Sequence, residues 1–169
     1  MRIINIIGAS GSGKTTIAKQ LDGNIIQSYT TRPERYENEW GHIFVDSVAE
    51  ENIVAYAELH GYEYYATEDQ FIEGDNIYIV NPDGAEQVHE YFQDSDVEVI
   101  TIYIVVDESV REERMITRYI TLSYERIKYI VNNRLDADRE EFKSVQCNRV
   151  IDGNRSITDV VADVRECLK

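Results

Sequence analysis

Residues 8–15 read GASGSGKT, a full match to the pattern G-x-x-x-x-G-K-[ST]. Glycines at this spacing let the chain fold back tightly, so that several backbone N–H groups face one anion. A helix opening at the lysine adds the partial positive charge of its N-terminus. In such a loop an ammonium group at Lys14 reaches the β and γ phosphates of a triphosphate, and the hydroxyl of Thr15 is the Mg²⁺ ligand. Gly8, Ala9, Ser10, Gly11, Ser12, Gly13, Lys14, Thr15 and Thr16 thus form a candidate nucleoside triphosphate site. The loop does not say which molecule receives the phosphoryl group.

A second cluster follows at 28–35, SYTTRPER. The next 75 positions, 36–110, carry nineteen Asp and Glu and no Lys or Arg. An anion entering that part of the molecule meets a repelling field unless something local reverses it. Arg32 and Arg35 are the groups able to do so, with Ser28 and the neighbouring hydroxyls beside them, and two guanidinium forks can grip a phosphate from two sides. The alternative is a solvated loop with incidental arginines. Further on, Arg114 and Arg118 lie one helical turn apart on one face.

The remaining composition bounds the function. The chain has 169 residues, 29% charged and 43% hydrophobic, with formal net charge −15. That is one domain with a real core, in a field that repels nucleic acid phosphates and anionic membranes. Neither is an expected partner. Cys147 and Cys167 share no metal or redox spacing and suit reduced thiols, and no apolar run approaches a membrane span, so a cytoplasmic protein is expected.

The elements that position these groups are legible from periodicity. Short β-branched runs at 3–7, 24–27, 77–80, 97–106 and 149–151 alternate with helical patterns at 14–21, 82–92, 109–118, 123–143 and from 156 onward. Ser109 is the expected N-cap of the third helix, and Pro82 suits the first turn of the second. Strands alternating with helices predict a parallel sheet covered on both faces. The stretch 42–66 alternates around Gly61 and predicts a small antiparallel insert.

The order of these motifs resembles the guanylate kinase family, whose acceptor loop reads S-x-T-T-R-x-x-R after the phosphate loop. The likeness continues through YEYYAT (62–67), NPDGA (81–85), RMITR (114–118), RLDADREE (134–141) and NRVIDGN (148–154). It implies a P-loop α/β three-layer core (1–30, 77–112, 144–169), an inserted monophosphate-binding lobe (about 31–76) and a helical lid (about 113–143). It also implies ATP- and Mg²⁺-dependent phosphorylation of a nucleoside monophosphate, GMP or dGMP first. Position by position, Ser28, Arg32 and Arg35 would hold the acceptor phosphate, Tyr65 the phosphate, and Thr67 the base. Asp83 would serve the base or the metal-linked water network, and Lys14, Arg32, Arg114, Arg118 and Arg134 would surround the transferring group.

Three features depart from the family pattern. Ala55 stands six residues before Gly61, where the family carries a guanine-reading Glu, and His42 stands where it carries a Tyr near the acceptor phosphate. The stretch between Arg118 and Arg134 is longer and richer in aromatics and isoleucine, which predicts a more helical lid. Two other readings stay open: the same chemistry on a different base or another phosphorylated metabolite, and a non-catalytic binding module.

Overall fold

A computed structural model describes residues 1–34, 37–48, 51–59 and 61–169. Its main sheet has the order β2-β7-β1-β8-β9, all parallel, with β1 (Arg2–Ile7) at the centre, β2 (Asn24–Ile26) and β7 (Asp75–Ile79) on one side, and β8 (Glu98–Val105) and β9 (Arg149–Asp152) on the other. From Ile3 to Ile7 strand β1 is apolar apart from Asn5, as suits a strand with helices over both its faces. Ile4 and Ile6 pack with Ile17 and Ala18 of α1 (Lys14–Ala18) and with Val160, Val161 and Val164 of α5 (Ile157–Glu166). Ile3 packs on the opposite face with Val88 and Phe92 of α2 (Pro82–Phe92). Side chains one residue apart on a strand point to opposite faces, so one short strand seeds two cores.

The small sheet has the order β4-β3-β6-β5, built from β3 (Ser28–Thr30), β4 (His42–Phe44), β5 (Ile53–Leu59) and β6 (Tyr62–Thr67). It begins earlier than the 42–66 insert read from the pattern, and it is mixed, since β3 and β4 run parallel while β6 is antiparallel to both β3 and β5. Strand β5 sits on α2: the Gln87 side chain accepts the Tyr56 N–H at 2.8 Å and donates to the Tyr56 carbonyl at 3.0 Å. Val54, Ala55 and Ala66 join the α2-side core there.

Helices α3 (Glu108–Arg118) and α4 (Tyr124–Glu141) pack around Met115, Val131 and Leu135. Ser123 caps α4, its side chain accepting the Arg126 N–H. The cap of α3 differs from expectation. It is Asp107, two residues before Ser109, and its own N–H donates to Asn154 Oδ1 at 3.0 Å. Helix α1 stops at Ala18 rather than continuing to 21, because the N–H groups of Gln20 and Leu21 step back to carbonyls three residues away as the chain tightens toward β2. Among the described residues no helix is long and apolar enough to cross a membrane.

Candidate functional site around the phosphate loop

The GASGSGKT loop leaves the C-terminal end of β1 and enters α1 through Gly13, which has φ 93. Gly11 has φ 81, and a Cβ there would lie 2.8 Å from the Arg111 carbonyl, so only glycine lets α3 approach so closely. The Lys14 ammonium is turned inward, donating to the Gly8 carbonyl and, at 3.2 Å, to that of Ala9. Burial lowers its pKa to about 8; Asp138 and Glu141 oppose that shift, and the positive charges of Arg118 and Arg134 add to it. Two arginines from α3 and α4 therefore share the electrostatic environment of Lys14, although they lie more than a hundred residues from it in sequence.

The loop is braced from behind. Asp138 of α4 accepts the Ser10 N–H at 3.0 Å and the Ser10 hydroxyl at 3.2 Å, and it pairs with Arg111 Nη1 at 2.8 Å. Arg111 also donates to the carbonyls of Ser10 and Val106, both at 3.2 Å. Asp138 and Arg111 are both buried. Sequence reasoning missed this pair; the available signal was that Arg111 precedes Arg114 by three positions and so shares its helix face. Arg114 itself donates to the carbonyls of Gly11 (3.3 Å) and Gly153 (3.2 Å), tying the loop to the turn after β9. Arg118 is exposed, and the Arg134 guanidinium lies 5.9 Å from the Tyr119 ring centroid.

A cavity of about 320 Å³ opens beside the loop, lined by Ser12, Gly13, Thr16, Arg118, Arg155 and Ile157 among others. Arg155 and Ile157, just beyond the NRVIDGN motif, were not singled out from sequence. Glu141, whose charge acts on Lys14, is half-buried. Burial raises its pKa and the charges of Asp138 and Asp83 push the same way, while a hydrogen bond with Asn81 and the charge of Lys14 pull it down. Asp83 is exposed in the first turn of α2, whose cap, Asn81, accepts the Gly84 N–H at 3.0 Å.

The residues expected to hold an acceptor lie on the small sheet and the loop after it. Strand register places Ser28, Thr30, His42, Phe44 and Tyr64 on one face, and Tyr29 and Tyr65 on the other. Tyr65 thus faces away from Ser28: its ring stacks on Tyr29 with centroids 5.1 Å apart, and its hydroxyl donates to the Ser47 carbonyl at 3.4 Å. Tyr64 is on the Ser28 face, with its ring 5.5 Å from His42. The Ser28 hydroxyl is 3.2 Å from the Tyr78 hydroxyl, whose pKa burial pushes up to about 12. Thr67 is engaged in a capping box with Gln70 at the 3-10 turn Glu68–Gln70. Arg32 is buried, its guanidinium 5.3 Å from the Phe44 ring centroid and its fork closed by Glu39 at 3.0 and 2.9 Å. Burial works to lower the Arg32 pKa, but hydrogen bonding and charge from Glu39 and Tyr64 together outweigh it and the pKa is raised. Arg35 lies outside the described residues.

The donor set suits Mg²⁺ arriving with a triphosphate. Thr15 is exposed in the first turn of α1, and the space beside Gly13 is open. Among the described residues no three His, Cys, Asp or Glu side chains converge as a metal cage. Mg²⁺ at phosphoryl-transfer sites takes one or two protein ligands and completes its shell with phosphate oxygens and water, which is what a lone hydroxyl at this position provides.

No protein-family model matches the sequence, and no curated protein matches it. Among solved structures, a guanylate kinase from Anaplasma phagocytophilum is similar, with TM-score 0.59, 18% identity, and 98% of this chain and 83% of that one covered. An uncharacterized protein from Eubacterium ventriosum is similar with TM-score 0.54 and 13% identity over 98% and 97% of the two chains. At these identities the likeness shows the fold alone, an α/β architecture with a parallel main sheet.

Proposed function

We propose that the chain is an ATP- and Mg²⁺-dependent kinase that transfers a phosphoryl group to a nucleoside monophosphate, with GMP or dGMP the first candidates. The observation that carries this reading is the phosphate loop braced by Asp138, Arg111 and Arg114, with the charges of Arg118 and Arg134 acting on Lys14, in a chain whose small sheet bears Ser28 and His42 and whose loop after β3 bears Arg32. Phosphoryl transfer asks the protein for alignment and charge neutralisation around an in-line group, and these residues supply both. In this reading Gly8 to Thr16 cradle the donor phosphates, Thr15 holds Mg²⁺, and the cavity lined by Arg118, Arg155 and Ile157 takes the donor's nucleoside. Bound Mg²⁺ would neutralise charge on the donor phosphates. Lys14 must swing from the Gly8 and Ala9 carbonyls to phosphate oxygens, and Arg118 and Arg134 close on the transferring group. Ser28, Arg32, Arg35, His42, Thr67 and Asp83 remain the proposed acceptor residues. Tyr65, turned toward Tyr29, gives way in this reading to Tyr64, which shares the Ser28 face.

A second reading keeps the chemistry and changes the base. Ala55 is 2% exposed, and a Cβ on Gly84 of α2 would lie 3.9 Å from its own. No carboxylate stands there to pair with the ring N–H and amino donors of guanine, and losing such a partner is a strong discriminator.

Coupled ADP release with a panel of ribo- and deoxynucleoside monophosphates tests both readings. GMP or dGMP turning over fastest supports the guanine assignment, and a faster rate with AMP, CMP, UMP or dTMP overturns it. No turnover with any of them, together with no binding of ATP–Mg²⁺ by calorimetry, would leave the non-catalytic binding module.

A further inference from the structure

The Arg32 fork is already filled. Its two terminal nitrogens meet the two oxygens of Glu39 at 3.0 and 2.9 Å, and the side chains are only 7% and 5% exposed. A third donation goes to the Pro33 carbonyl at 2.8 Å, while the buried Nε–H has no hydrogen-bond partner among the described residues. Two carboxylate oxygens span a guanidinium in the same parallel geometry as two phosphate oxygens. Resting on the reading of Arg32 as an acceptor ligand, we propose that Glu39 is the internal occupant of the acceptor-phosphate site. Its carboxylate holds the Arg32 fork in the acceptor-free protein, leaves when the acceptor phosphate enters, and so sets the acceptor's apparent affinity.

The surroundings of Glu39 make this exchange a movement of the whole segment 39–41. The next residue, Trp40, lies under the Lys19 ammonium, 4.0 Å from its ring centroid, and the Gly41 N–H donates to Gln27 Oε1 at 3.2 Å. Glu39 sits on Arg32, Trp40 on Lys19 just after α1, and Gly41 on Gln27 just after β2. The loop is therefore latched between the small sheet and the core. A phosphate dianion competes well for a guanidinium held by a carboxylate monoanion. The displaced carboxylate must be solvated or paired again once it leaves the fork. Trp40, the chain's single tryptophan, must shift with it.

The test compares wild type with Glu39→Gln, which keeps the shape and removes the charge. At saturating ATP, the variant is expected to lower acceptor KM about tenfold while kcat stays within about twofold. Inorganic phosphate titrated into the wild-type protein is expected to change Trp40 fluorescence saturably, and to bind Glu39→Gln more tightly. An acceptor KM that is unchanged or raised, in a variant with wild-type Tm, overturns the proposal. So does Trp40 emission that stays flat with phosphate in the wild type, and this measurement alone decides if the variant does not fold. If no nucleoside monophosphate is phosphorylated yet phosphate still moves Trp40 and binds the variant more tightly, the occupant stands and the kinase assignment falls.

Discussion

Asp138 and Ser10, 128 positions apart, are joined by a carboxylate that accepts both the backbone N–H and the hydroxyl of Ser10. This contact pins α4 to the phosphate loop, and with it Arg134, one helical turn earlier. Asp138 is buried and compensated by Arg111, which reaches back to the Ser10 carbonyl. The loop is thus held on both its N–H and C=O sides by one buried ion pair before any anion arrives.

Removing one half of a buried pair leaves the other charge uncompensated, at a cost of about 3–5 kcal/mol. Asp138→Ala is therefore expected to lower Tm by about 6–20 °C in a domain of this size. The double variant Arg111→Ala/Asp138→Ala should lose less than the sum of the two single losses. Thermal unfolding of the three variants measures this; strict additivity would contradict the pairing.

Lys14→Ala should reduce kcat by about 10²–10³-fold, because the ammonium stabilises charge that moves during transfer. The folded state should tolerate the change, since among the described residues the native ammonium's hydrogen bonds go to loop carbonyls. Steady-state kinetics beside a melting curve separates the two effects.

The lowered Lys14 pKa, about 8, predicts a pH profile. Above that pH the ligand-free protein loses the ammonium, so under the proposed function kcat/KM for ATP should fall through about pH 8. Bound phosphates restore the charge and should carry the kcat plateau to higher pH. The stability sign is opposite. Between about 8 and the ordinary lysine value, the unfolded chain binds a proton that the folded chain lacks, so this group makes stability rise with pH. A kcat/KM profile flat from pH 7 to 10 would contradict the assignment.

Placing a carboxylate at position 55 should not create a guanine site. Ala55 is packed beside α2 in the core that holds Val54, Ala66 and Val88, and a Glu there is buried without a cation. Ala55→Glu is expected to cost about 2–4 kcal/mol without raising GMP turnover. Increased GMP activity at wild-type Tm would show that the position opens into the acceptor cleft.

The sequence by itself determined what depends on neighbours along the chain. GASGSGKT makes its loop because glycines and the helix start lie within eight residues. The apolar run of β1 and Pro82 at the first turn of α2 mark their elements for equally local reasons. Strand–helix alternation was enough to draw the parallel sheet and its two covering layers. Boundaries slipped by a residue or two, as where α3 is capped at Asp107, whose N–H donates to the distant Asn154, rather than at Ser109. Only the tertiary structure decided the partners. In YEYYAT the two central tyrosines read alike, and pairing with β3 put Tyr65 on the Tyr29 face and Tyr64 on the Ser28 face. Asp138 sits in a helix pattern like any solvated acid until packing buries it against Arg111 and Ser10. Glu39 was one of nineteen acids in the stretch 36–110, which has no Lys or Arg, and folding gave it the Arg32 fork. Periodicity is local information, whereas burial and charge pairing are sums over everything that packs around a group, and those sums exist only once the chain has folded.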